Sequence, residues 1–100
     1  MATKITFIID NPTDPAAFEA AYANVLSAVR GFPKLERVES AKVWPKEDGT
    51  PTPAYRTLDL YFASYEDASA AVMTETAGAV IGGIVGTGTT FTGLFSDIEE

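Results

Sequence analysis

Polar and apolar residues alternate over residues 3–10, with Ile5, Phe7 and Ile9 on one side and Lys4, Thr6 and Ile8 on the other. That two-residue period predicts a β-strand. Asn11, Pro12 and Thr13 break the pattern as a turn, and Asp14 then stands as an N-cap before Pro15. At the first helical position proline's missing N–H has no consequence, so a helix starts here. Phe18, Tyr22, Val25, Leu26 and Val29 draw one apolar stripe along it, and Gly31 and Pro33 end it. The helix is amphipathic and must lie on something.

Residues 35–44 read as a second strand with weak alternation, and Lys46-Glu47-Asp48-Gly49-Thr50-Pro51 supplies turn chemistry for a hairpin into a third. The third strand, 55–62, alternates clearly: Arg56, Leu58, Leu60 and Phe62 on one face, Tyr55, Thr57, Asp59 and Tyr61 on the other. The leucine face is assigned to the helices. Ser64 with Asp67 forms a capping box that opens a second helix through Ala68, Ala71 and Val72, and the pattern breaks around residues 74–76. Residues 77–88 are apolar and glycine-rich, and 89–95 alternate again as a last strand with Phe91 and Phe95 on either side of Gly93. Gly78, Gly82 and Gly86 fall four apart, a flat stripe on a helix that would let the sheet or a partner approach closely. The segment has no lysine and no strand-then-glycine-loop context, so a phosphate-binding loop is not read there.

The element order is β-α-β followed by β-α-β, the split arrangement of ferredoxin-like α+β domains. It places four antiparallel strands in one sheet with the helices on one face, a single domain over residues 1–100. The other face is then bare, and Tyr55, Tyr61 and Trp44 or Val43 would make it more apolar than a monomer tolerates. A homodimer in which two open faces close into a barrel-like enclosure resolves that imbalance.

Composition narrows the chemistry. The chain of 100 residues has no histidine and no cysteine, which removes imidazole ligands, ordinary zinc sites, thiol nucleophiles and Ser-His-Asp relays. Fourteen acidic residues against seven basic ones give a charge of −7, which repels nucleic-acid phosphates and anionic lipid heads, and the basic side chains do not cluster. Neither a nucleic acid nor a membrane is therefore expected as a partner. The first ten residues lack the long apolar core of an export signal, so a cytoplasmic location is expected. Adjacent acids such as Glu66-Asp67 and Glu99-Glu100 read as solvated surface, and no metal or cofactor is expected.

Several short motifs, taken in order, carry a resemblance. Asn11-Pro12 with Asp14-Pro15-Ala16-Ala17-Phe18 and Tyr22, then Phe32-Pro33-Lys34-Leu35, then Leu58-Asp59-Leu60-Tyr61-Phe62-Ala63-Ser64, resemble the EthD family over nearly the whole chain. The resemblance implies a dimeric α+β barrel and a link to degradation of ethers and aromatic compounds or to polyketide tailoring. The family usually carries a histidine after a tyrosine-rich first helix. Here Val25 and Leu26 occupy that stretch and Ser27-Ala28 follow, so no histidine-dependent activity is carried over.

Two groups of residues stand as candidates for a site. Asp59, between Thr57 and Tyr61 on the open face, would lose hydration inside a dimer and gain the character of a general acid or base, with Tyr61 beside it. The same aspartate would also be satisfied by a tyrosine hydroxyl or by Lys42 or Lys4 across the sheet. Tyr22, Leu26, Trp44, Tyr55 and Thr57 would line an aromatic pocket for a flat apolar ligand, although core and dimer packing account for the same side chains. The function expected is a homodimer enclosing an apolar cavity for a small hydrophobic or aromatic molecule. If enzymatic, it would be a cofactor-independent oxygenase or proton-transfer protein. The alternative is a structural or accessory protein without a cavity.

Overall fold

A computed structural model describes residues 1–100. The elements run β1 (Thr3–Ile9), α1 (Pro15–Val29), β2 (Arg37–Lys42), β3 (Arg56–Phe62), α2 (Tyr65–Ala71), α3 (Glu75–Val85) and β4 (Phe91–Asp97). The strands form one antiparallel sheet in the order β2-β3-β1-β4. This is the ferredoxin-like α+β architecture expected from the pattern, with the helices on a single face.

Local chemistry accounts for the boundaries. The Asp14 side chain accepts from the backbone N–H of Ala17 at 3.2 Å, and Pro15 opens α1. Ser64 accepts from the N–H of Asp67 at 3.2 Å. The reciprocal half of a capping box is not made, because the Asp67 carboxylate turns instead to Lys34 Nζ at 3.3 Å. The break at residues 74–76 is a 68° turn between α2 and α3, with Thr74 as the N-cap of the latter.

Ile5, Phe7 and Ile9 from β1 and Leu58, Leu60 and Phe62 from β3 form the sheet's contribution to the core. They meet Phe18, Tyr22, Val25 and Val29 of α1, Ala68 and Ala71 of α2, and Ala77, Val80 and Ile84 of α3. Each large apolar side chain removed from water here contributes about 1.5–3 kcal/mol. The α1 stripe is thus core, and its Tyr22 ring stacks on Phe18 with centroids 5.4 Å apart.

No helix covers the other face of the sheet. Strand register lays its side chains out in rows: Arg37, Tyr61, Lys4 and Ser96; then Glu39, Asp59, Thr6 and Leu94; then Ala41, Thr57, Ile8 and Thr92. The face is more polar than the expectation of an aromatic surface allowed. Its apolar part is Ile8, Ala41, Leu94 and the ring of Tyr61. Two aromatics assigned to it lie elsewhere. Tyr55 precedes the first laddered residue of β3, and its ring meets Phe18 edge-on at 5.5 Å on the helix side. Trp44 lies past the end of β2 and is 87% exposed.

The particle is a slab of 39 × 30 × 16 Å. Its accessible surface is 6063 Å², against about 5,500 Å² expected for a compact monomer of this mass. No single helix is long and apolar enough to cross a membrane.

Candidate functional site

Three clusters divide the candidate residues. The first is on the open face. Thr6 Oγ1 donates to Asp59 Oδ1, and Lys4 Nζ stands 3.8 Å from the same oxygen. Lys4 is therefore the lysine that pairs across the sheet, while Lys42 has the opposite parity on β2. Tyr61 lies on the same face, but its hydroxyl donates to Glu39 Oε1 at 2.5 Å rather than to Asp59. Arg37 covers the Tyr61 ring at 4.2 Å and reaches Glu39 at 3.5 Å. Thr57 sits one row away beside Ile8. Asp59 and Tyr61 are thus neighbours with separate partners, each already supplied with a hydrogen bond.

The second cluster lies on the helix side, between α1 and the edge of the sheet. Arg56 donates from Nε and Nη2 to the two carboxylate oxygens of Glu19 at 2.9 and 2.6 Å. Its guanidinium stands 4.8 Å from the Tyr22 ring centroid. The fork geometry suits arginine, whose planar donors match a carboxylate. Tyr22 itself is buried, and its hydroxyl bonds with Ser40 Oγ at 2.8 Å. Burial pushes the Tyr22 phenol above its usual pKa, with the Ser40 contact working the other way. Leu26 packs half-buried against the core next to this cluster. Glu19 and Arg56 were not singled out from sequence. The available signal was a charged residue at the inward parity of the third strand, which requires a partner once the helices cover it.

The bidentate contact with Arg56 lowers the Glu19 pKa, and the Glu19 carboxylate raises that of Arg56. A carboxylate with a depressed folded-state pKa adds stability above its unfolded value, and that stability is lost as pH falls through the folded value. Glu19→Gln should therefore flatten the acid limb of stability below about pH 4.5, Glu19's ordinary value. At neutral pH the substitution should cost about 1 kcal/mol, since the pair is partly solvated. Urea titrations at a series of pH values would show this, and parallel acid limbs in the two proteins would refute it.

The third cluster is at the hairpin end of the sheet. A recess of about 300 Å³ is lined by Asn11, Lys42, Val43, Pro45, Thr52 and Tyr55, among others. An adjoining one of about 430 Å³ is formed by Lys42, Val43, Trp44 and Pro45. Trp44 and Tyr55 are thus brought to the same end of the molecule, off the face that holds Asp59, Tyr61 and Thr57. Tyr55 also adjoins the second cluster, since its ring meets Phe18, on which Tyr22 stacks. No group of three or more acidic side chains is gathered as metal ligands would be.

No family model matches the chain. A protein of Rhodococcus erythropolis, called an uncharacterized 11.0 kDa protein in the thcB-thcC intergenic region, is 31% identical over 100 residues, spanning 96% of this chain and 94% of that one. The chain belongs to the family of that protein. Its fold is that of EthD. An ethyl tert-butyl ether D (EthD) family protein from Bacillus halodurans superposes with a TM-score of 0.87 at 20% identity, covering 98% of this chain and 99% of the other. A dimeric ferredoxin-like protein of unknown function from Thermobifida fusca gives 0.76 at 11% identity over 98% and 92% of the two chains. SnoaB, a cofactor-independent oxygenase from Streptomyces nogalater, gives 0.67 at 12% identity over 99% and 94%. The EthD likeness read from short motifs is thus borne out at the level of the fold. In this EthD-like chain the helix side and the hairpin end hold the recessed aromatics, and the bare face holds the acid-tyrosine pair.

Proposed function

We propose that the protein acts as a homodimer closed through its bare sheet faces and binds a small hydrophobic or aromatic molecule. Its setting would be ether or aromatic degradation or polyketide tailoring, in the cytoplasm and without a cofactor. The observation that carries the dimer is the slab itself: one uncovered sheet face on a particle whose surface exceeds that of a compact monomer. Ferredoxin-like proteins of the same fold from Thermobifida fusca and Jannaschia are described as dimeric, which supports the reading. The rows on the face also suit two-fold pairing, since Arg37 and Lys4 stand next to Glu39 and Asp59 and opposite signs can meet across the axis.

The ligand class rests on the EthD fold, on the cofactor-independent oxygenase SnoaB, and on the antibiotic-biosynthesis monooxygenase-like neighbours, together with the aromatics at the hairpin end. Binding fits the geometry better than proton transfer, because the Asp59 oxygen that faces the sheet is already held by Thr6 and Lys4. Light scattering across a range of concentrations tests assembly, and a panel of aromatic and apolar compounds in thermal-shift assays tests binding. A ligand present at 100 times its Kd adds about 2.7 kcal/mol, a rise of about 10 °C or more for a protein this size. Failure of every compound would support the accessory reading instead. Asp59→Asn should leave both the ligand-induced rise and its pH profile in place. A changed profile would bring the carboxylate into the site and restore the catalytic reading.

A further inference from the structure

The hairpin end carries a feature that neither the dimer nor the fold explains. Lys42 lines both recesses there and makes no ion pair; Arg30 and Lys46 are likewise unpaired but line neither recess, and Lys4, Lys34, Arg37 and Arg56 each hold a carboxylate. No aspartate or glutamate lines either recess. Glu19, whose field reaches Lys42, is committed to both donors of Arg56. Asp48, in the same loop, accepts from the Thr50 backbone and hydroxyl. An uncommitted ammonium in a chain of net charge −7 is a local exception to the field around it.

Its surroundings are aromatic. The Lys42 Nζ stands 5.3 Å from the Tyr55 ring centroid, and the adjoining wall is Trp44, with most of its indole in solvent. Pro45 stiffens that wall next to it. A neutral apolar guest would strip water from the ammonium and give nothing back, and a cationic guest would be repelled. A flat ring bearing one negative group satisfies both halves of the recess, by charge-assisted hydrogen bonding and by stacking. A volume of 300–430 Å³ is at the small end of ligand pockets, which limits the guest to a single ring or little more.

We propose that this recess binds a small aromatic carboxylate, with its carboxylate on Lys42 Nζ and its ring against Trp44. The proposal rests on the reading of the protein as a small-molecule binder and gives that reading a location and a ligand class. Trp44 is the chain's one tryptophan, so its fluorescence reports on the site directly. Titration of the full-length protein with sodium benzoate should give a saturable change. Benzyl alcohol should bind about tenfold more weakly and benzylamine not at all. Lys42→Gln should bring benzoate down to the level of benzyl alcohol, while Lys46→Gln, a neighbouring loop lysine, should leave it unchanged. Trp44→Leu should abolish the benzoate-induced rise in melting temperature. Equal binding of benzoate and benzyl alcohol, or an equal loss in the Lys42 and Lys46 variants, would overturn the proposal. If apolar compounds raise the melting temperature while Trp44 fluorescence stays flat, this location fails and the broader binding reading survives. If neither signal moves, both fail.

Discussion

Ile8→Asp should dissolve the proposed dimer into monomers at micromolar concentration, weakening association about a thousandfold or more. Ile8 sits on β1, a central strand, with Thr57 on one side and Thr92 on the other, in the least polar row of the bare face. In a face-to-face pair a carboxylate there would lose water without a cation in its row, at a cost of several kcal/mol. Two-fold symmetry places the change in both copies, so the penalty is counted twice. The isolated protomer should hardly notice, because Ile8 is only half-buried within one chain and its core-side neighbours are untouched; about 1 kcal/mol of folding stability is the expected upper limit. Leu94→Asp, on edge strand β4, should weaken association less. Light scattering gives the mass and circular dichroism confirms the fold. A variant that remains dimeric would move the interface elsewhere, with the outer side of α3 around Ile81 and Val85 the next apolar surface to test.

The contrast between Ile8 and Tyr55 shows where alternation can be trusted. For residues 3–9 and 56–62 the period of two puts each side chain on its observed face, because every one of those residues is laddered to a neighbour. Tyr55 continues the same count by one, but it lies in a bend before the ladder starts. Its N–H donates to the Ile9 carbonyl at 2.7 Å and its C=O accepts from the Val43 N–H at 2.9 Å, yet the bend turns its ring to Phe18 on the helix side. The strand β2 was harder still. Of its six residues only Val38 is partly buried, so no apolar face marks its register. The contacts that depend on that register, Ser40 to Tyr22 and Glu39 to Tyr61, were therefore not legible. Trp44 falls past the same strand, and its exposure depends on where β2 stops. Arg56 was visible as an inward charge, but its partner Glu19 is 37 positions away on a helix and needed the fold to be found. Helix starts were legible because a cap is local chemistry: Asp14 with Pro15, and Ser64, depend on residues within one turn.

Replacing glycines in α3 should separate two effects of opposite sign. The stripe Gly78, Gly82 and Gly86 looked like the place for close approach, but a Cβ built on Gly78 or Gly82 meets nothing within 4 Å. Close approach occurs one residue along, where a Cβ on Gly83 would stand 2.7 Å from Val25 Cγ2 on α1. Val25 is buried and β-branched, so it has little rotamer freedom with which to yield. Gly82→Ala should therefore stabilise the protein by up to about 1 kcal/mol through helix propensity alone. Gly83→Ala gains the same propensity but must push α1 and α3 apart, at about 1–3 kcal/mol, and should be net destabilising. Gly83→Leu has no room at all and should cost about 3 kcal/mol, lowering the melting temperature by about 12 °C or more. Combining Val25→Ala with Gly83→Ala removes the obstructing methyl, so the double variant should be more stable than the sum of the two single losses predicts. Melting curves of the five variants, the Val25→Ala single substitution included, decide the matter: if Gly83→Ala stabilises as much as Gly82→Ala, the two helices are not packed through this glycine.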